Sequence, residues 1–476
     1  MLQGWSRRVA AALAVAVLAG CTADKTPAAP PSSSAPAGPP DFRPGSAGIG
    51  DPYLPTYGNG GYDVASYDLK LRYAPKTGEL SGTATIAATA TQDLSRFNLD
   101  LAHLTVNAVT VDGQPAQAKH DGTELVVTPK SGIVRGRPFT VVIRYGGKPQ
   151  PLADKSLGVG GWLRTKDGAF ALGQPDSASS WYPVNDHPAD KATFALTMTV
   201  PNGLEVLSNG VPGPRDTASG WTTWRWSESA PMASYLSTVV IGQYRIRTGT
   251  HAGKPMVIAI PESLPADGAA AQSMDRTGEI ADFLATQIGP YPIDAYGGIV
   301  LDDDRVRYAL ETQSRPVYGD AFFRAGPVPE VVTHELAHQW FGDSVALERW
   351  QDIWLNEGFA TYAEWLWREH AGIRTVTQTF DDVYAGFVWQ QPPGNPGADH
   401  LFSAAVYQGG AMTLYALRQA IGDAAFATLL KTWPAEQRNG NGTTAEFIAT
   451  AERVSGKDLD RLFQTWLYGT TKPPHP

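Results

Sequence analysis

VVTHELAHQWFGD, residues 331–343, carries His334 and His338 four positions apart, with Glu335 directly after the first. On a helix with about 3.6 residues per turn, this spacing stacks both imidazoles on one face, within reach of a single metal ion. Glu335 is turned about 100° away around the same helix, off the ligand face. The preceding GPVPE, residues 326–330, supplies a proline that a first helical turn tolerates, so the helix is predicted to start there. Two histidines do not complete a hydrolytic metal centre, which needs three protein ligands and an open position for water. The same residues on an exposed helix without metal would be a polar patch, so a third ligand decides between the readings.

A second helix candidate, DIWLNEGFATYAEWLW (352–367), supplies Glu357, nineteen positions beyond His338. Its setting, WLNEGFATYAE, resembles the sequence around the glutamate ligand of M1-family zinc aminopeptidases, the gluzincin group that includes aminopeptidase N. The family pattern is His-Glu-x-x-His, eighteen residues, then Glu, and His334, His338 and Glu357 meet it. The resemblance implies one Zn²⁺ ion held by these three side chains. Glu335 is then the general base that takes a proton from the attacking water and passes it to the leaving amine. Glu364, two turns beyond Glu357, either hydrogen-bonds a histidine ligand or is a solvated carboxylate.

Metal hydrolysis alone does not say which bond is cut. An exopeptidase must hold the charged end of its substrate, and a carboxylate near the metal does so by pairing with an ammonium group. RYALETQSRPVY (307–318) resembles the exopeptidase motif of the family, Gly-x-Met-Glu-Asn, with Glu311 at the amine-binding glutamate and Tyr308, Leu310 and Thr312 in place of Gly, Met and Asn. ALGQPDSASSWYPVNDHPADKATF (171–194) resembles the segment that carries the Gln-x-Glu element. By that likeness Gln174 lines the first substrate pocket and Asp176 stands where the family has a second amine-binding glutamate, one methylene shorter. His187, alone in a turn, reads as structural. Tyr407, in AAVYQGGAMTLYALRQAIG (404–422), matches the family tyrosine that stabilises the oxyanion, although Gly409 replaces its lysine.

The rest of the chain divides by texture. From about residue 60 to 245 apolar and polar residues alternate, as in YDLKLRY (67–73), FTVVIRY (139–145) and FALTMTV (194–200), which predicts an all-β domain. After about residue 250, AAAQSMDRTGEIADFLATQIGP and AMTLYALRQAIGDAAFATLLKTW read as helices. TTAEFIATAERVSG opens with Thr443 and Glu446 in capping-box spacing. The predicted fold class is α+β. The resemblance implies a saddle-like β domain over residues 51–246, followed by a thermolysin-like, helix-rich catalytic domain over 247–476. Larger family members continue into a helical domain that roofs the site, so this chain is expected to have a more open cleft or one covered by a partner.

The N-terminus reads as a targeting segment. Arg7 and Arg8 precede the apolar VAAALAVAVLAG (9–20), the length of a signal-peptide core, and LAGC resembles the bacterial lipobox, which predicts a signal peptide over 1–20 and a diacylglycerol on Cys21. Cys21 is the only cysteine, so the chain has no internal disulfide. Residues 21–50, rich in Pro, Ala and Ser, are predicted to form a linker to the membrane. A formal charge of −9 over 476 residues, with no Lys or Arg run, excludes a basic field for nucleic acid.

These readings converge on an exported, lipid-anchored, monomeric zinc aminopeptidase acting on peptides with a free N-terminus. The alternatives are a zinc endopeptidase or epoxide hydrolase on the same scaffold, or a non-enzymatic peptide-binding lipoprotein.

Overall fold

Alternation in YDLKLRY becomes the strand Tyr62–Ala74, with Tyr67, Leu69, Leu71 and Tyr73 buried and Lys70 and Arg72 exposed. A slip of one residue would turn that whole apolar set to solvent, so the pattern fixes the register. The computed structural model describes residues 39–154 and 158–476. The signal segment, Cys21 and most of the predicted linker lie outside the described residues.

Tyr62–Ala74 sits in a nine-stranded sheet, parallel to Ala192–Pro201 on one side and antiparallel to Glu79–Ala90 on the other. Phe194, Leu196, Met198 and Val200 of one predicted strand, and Phe139, Val141, Ile143 and Tyr145 of another, all face the core. A smaller five-stranded sheet carries Gly158–Arg164, Ala169–Leu172, Val239–Gly242 and Glu205–Ser208. Gln174 stands two residues after the end of Ala169–Leu172, so this sheet delivers a β-domain residue to the site.

A third sheet joins Tyr244–His251, Lys254–Pro261, Tyr296–Leu301, Val317–Gly319 and Ala309–Leu310. The boundary expected between residues 246 and 247 therefore falls inside a strand, because Tyr244–His251 pairs along its whole length with Lys254–Pro261. The predicted linker also ends early. Arg43–Pro44 runs parallel to Leu94–Asp100, and the Asp93 carboxylate accepts the backbone N–H groups of Asp41 and Arg135. Residues Asp41–Pro476 form one compact unit.

Polar ties cross between the β-rich and helix-rich parts of that unit. Part-buried Lys191 donates to the carbonyls of Asp343 (2.8 Å), Ser344 (2.9 Å) and Gly440 (3.2 Å). Asp51 accepts the Trp350 backbone N–H at 2.8 Å and pairs with His187 Nε2 at 3.2 Å, which makes His187 structural, as its turn setting indicated.

Two predicted helices are each divided. The 269–290 segment forms Ala269–Met274 and Thr277–Ile288, the second ending at Gly289 as expected. The 411–433 segment breaks at Gly422, whose φ of 86° belongs to the left-handed region that favours glycine. Thr443 and Glu446 form the expected reciprocal capping box on Thr444–Ser455. Among the described residues no helix is long and apolar enough to cross a membrane.

Candidate metal centre and substrate cleft

Helix α1, Pro329–Ala337, starts with its proline in the first turn and presents His334 and Glu335; His338 is its C-cap residue. Helix α2, Trp354–His370, carries Glu357 in its first turn and packs beside α1. His334 Nε2 lies 3.3 Å and His338 Nε2 3.4 Å from the same oxygen, Glu357 Oε2. A tetrahedral zinc with ligand distances near 2.0 Å spaces its ligands by about 3.3 Å, so the three side chains fit that ion. All three are buried, and their ligand atoms lie within 4.8 Å of one another.

The outer nitrogens agree with this fit. His334 Nδ1 meets Glu364 Oε1 at 2.7 Å, and His338 Nδ1 meets the Phe341 carbonyl at 3.0 Å. An acceptor at each Nδ1 calls for a proton there, which leaves the Nε2 lone pairs turned inward to bind metal. The electrostatics favour a cation. Burial alone would raise Glu357, but the two histidines hold it down at about 2. Burial alone would lower His338, but the Glu357 and Glu311 carboxylates drive it to about 9. A metal ion meets the same demand for positive charge that protons meet in its place.

Glu335 lines the same cleft, its ligand atom within 4.8 Å of those of His338 and Glu311. Burial pushes its carboxyl up to about 8 against the pull of both histidines, and a cation held beside it would favour the ionised form that a base requires. Tyr407 sits in a π-helical turn, Ala405–Gly409, and its ring lies parallel to His334 with centroids 5.8 Å apart. Burial, and then the carboxylates of Glu357, Glu311 and Glu335, raise the Tyr407 phenol, which keeps its proton available for donation.

A glycine contact fixes where Tyr407 stands. Helix α3, Gly410–Ile421, follows the π turn, and a Cβ on Gly358 of α2 would lie 2.9 Å from Gly410 Cα. Only bare backbones permit that approach, which brings the turn that precedes α3 up to the metal ligands. Gly409 is confined too, since its Cβ would stand 2.7 Å from the Pro393 ring. A side chain at this position would require Pro393 to shift.

Glu311 is buried, and its Oε1 accepts from Gln174 Nε2 at 3.2 Å and Tyr235 OH at 3.0 Å. Its ligand atom lies within 4.8 Å of those of Glu335 and His338. Burial raises the Glu311 carboxyl, and an incoming ammonium would offset that cost. Gln174 and Glu311, 137 residues apart, are thus brought together as their motifs implied.

Asp176 is not brought to the cleft. It lines a separate pocket of about 80 Å³ with Asp100, Ser179 and Asp186, although it stands only two positions beyond Gln174. Tyr308 lines the cleft and donates to the Val159 carbonyl at 3.2 Å, so a side chain occupies space the family leaves to glycine. Thr312 is buried and bonds the Arg315 carbonyl at 2.7 Å. Sequence reasoning missed Tyr235, one core-like tyrosine among 18 with no local motif. It also missed Gln339, whose amide donates to the Glu311 carbonyl at 3.2 Å and accepts from Ser314 N–H at 2.7 Å. Gln339 directly follows His338, and that adjacency was the available signal.

The cleft encloses about 390 Å³, lined among others by Gln174, Glu311, Glu335, Arg368 and Tyr407. A buried His-His-Glu cluster beside a free carboxylate base, on this α+β scaffold, defines a gluzincin-type metallopeptidase site. Residues 320–466 match the Peptidase family M1 domain, and residues 64–236 match the Peptidase M1 N-terminal domain. The fold superposes on the M1 zinc metallopeptidase from Deinococcus radiodurans with a TM-score of 0.83 at 31% identity, covering 90% of this chain and 98% of that one. A mutant of that enzyme bound to a Tyr-Ser-Ala substrate matches equally, with a TM-score of 0.83 at 30% identity. Aminopeptidase M1-B of Oryza sativa subsp. japonica is 27% identical over 84% of this chain and 49% of its own length. Aminopeptidase N of Canis lupus familiaris is 32% identical over 42% of this chain and 22% of its own length. The chain thus spans about half the length, or less, of these aminopeptidases. It belongs to peptidase family M1.

Proposed function

We propose that this chain is a zinc aminopeptidase that releases N-terminal residues from peptides outside the cytoplasm, as a monomer tethered through a lipid on Cys21. The observation that carries the aminopeptidase reading is Glu311, a buried carboxylate held by Gln174 and Tyr235 within 4.8 Å of Glu335 and His338. A carboxylate so placed binds a substrate ammonium and sets the first peptide bond at the metal.

His334, His338 and Glu357 hold the ion. When bound, zinc polarises the scissile carbonyl and lowers the pKa of water toward neutrality. Glu335 accepts a proton from the attacking water and returns it to the departing amine. The Tyr407 hydroxyl donates to the carbonyl oxygen as negative charge develops on it. Gln174 holds the Glu311 carboxylate on the oxygen it shares with Tyr235.

One peptide, prepared with a free and with an acetylated N-terminus and incubated with the zinc-loaded full-length chain, tests the reading by mass analysis. Stepwise shortening of the free peptide alone is the expected result. Internal cleavage of both forms would replace it with an endopeptidase, and cleavage of neither would favour a binding protein.

A further inference from the structure

Arg368 lies on α2 one turn beyond Glu364, so Glu357, Glu364 and Arg368 follow one another along a single helix face. Its guanidinium lines the metal cleft, and the side chain is 34% exposed. The nearest carboxylate oxygens, Glu330 Oε1 and Glu364 Oε2, each stand 3.9 Å away, beyond hydrogen-bond reach. Among the described residues the guanidinium donates no hydrogen bond, so its planar fork of donors faces the cleft unused.

The cleft is polar in a fixed direction. Glu311 and Glu335 gather beside one histidine, His338, whereas Arg368 is reached from the other, His334, through Glu364, 2.7 Å from its ring. A peptide whose ammonium sits on Glu311 and whose first carbonyl lies at the ligands runs its leaving portion toward Arg368. The contact path from His334 Nε2 to the guanidinium is no longer than roughly 11 Å, about three extended residues.

We propose that Arg368 binds the C-terminal carboxylate of short peptides, so that the preferred substrates are oligopeptides with about two or three residues beyond the scissile bond. This rests on the aminopeptidase reading for the position of the amine. A guanidinium recognises a carboxylate through paired charge-assisted hydrogen bonds, and the Arg368 donors make none within the described residues.

The test compares Tyr-Ser-Ala with its C-terminal amide on the zinc-loaded full-length chain, and by calorimetry on the zinc-loaded Glu335→Gln chain. The acid is expected to exceed the amide about tenfold in kcat/KM, chiefly through KM, and in affinity by a similar factor. Arg368→Met should bring both ratios to about one, and Arg368→Lys should restore part of the preference. Equal handling of acid and amide by the unsubstituted protein would overturn the carboxylate site while leaving the aminopeptidase intact. A ratio that survives in Arg368→Met, or is lost instead in Arg307→Met at the cleft edge, would also overturn it. Tighter binding of the acid without cleavage of either peptide would uphold the site and remove the peptidase reading. Neither binding nor cleavage would remove both.

Discussion

His334 Nδ1 and Glu364 Oε1 lie 2.7 Å apart, while Nε2 of the same ring faces Glu357 at 3.3 Å. One imidazole is thereby clamped between a carboxylate that orients it and a carboxylate that shares its metal. The clamp spans α1 and α2, so the ligand geometry depends on how those helices pack.

Removing the orienting partner should weaken the metal without abolishing it. Glu364→Ala is expected to lower zinc affinity about 10- to 100-fold. Competition with a chelator of known affinity measures this, and unchanged affinity would return Glu364 to the role of a solvated carboxylate.

In the proposed mechanism Glu335 serves the chemistry and does not bind the ion. Glu335→Gln should retain one equivalent of zinc by elemental analysis and lose about 10²- to 10⁴-fold in kcat. Near-normal turnover with zinc present would mean that another group accepts the proton.

The Gly358–Gly410 contact predicts a steric effect separable from chemistry. Gly358→Ala places a methyl 2.9 Å from backbone and should cost about 1–3 kcal/mol of stability, with loss of activity as Tyr407 shifts. Gly386→Ala, with nothing within 4 Å of its Cβ, is the control. Thermal unfolding of both variants beside the parent gives the comparison, and equal midpoints would show that α2 and α3 do not need the close approach.

Acid should act on Asp51. Burial alone would raise its pKa, but hydrogen bonds from His187 and from the N–H groups of Trp350, Leu54 and Tyr53 hold it at about 2. A carboxylate depressed in the folded state adds stability that is fully present above its ordinary pKa near 3.8 and is lost as pH falls toward 2. Asp51→Ala should cost about 1–3 kcal/mol at pH 7, by leaving those donors unmet, and should flatten the acid limb between pH 4 and 2. Urea unfolding across that range reads both effects, and an unaltered acid limb would locate the sensitivity elsewhere.

Local pattern carried much of the fold because each strand's apolar period states which face is buried. YDLKLRY, FTVVIRY and FALTMTV all turn the expected side inward. Helix breaks were less legible: Asp275 and Arg276 carry no strong breaker, and Gly422 is a single glycine between two stretches of helix-forming residues. The metal ligands were legible because helix geometry alone brings His334 and His338 together, and Glu357 lies in a distinctive segment.

What the sequence by itself determined is the set of groups whose spacing lies within one helix or one strand: the paired histidines, the carboxylate between them, the capping box and the buried faces. What only the tertiary structure decided is which distant groups converge. Gln174 reaches Glu311 across 137 residues while Asp176, two positions on, turns to another pocket. Tyr235 reaches Glu311 through packing that no local period records. Side-chain direction within an element follows from its period, whereas proximity between elements depends on how close their backbones can come, as the bare contact of Gly358 with Gly410 sets it here.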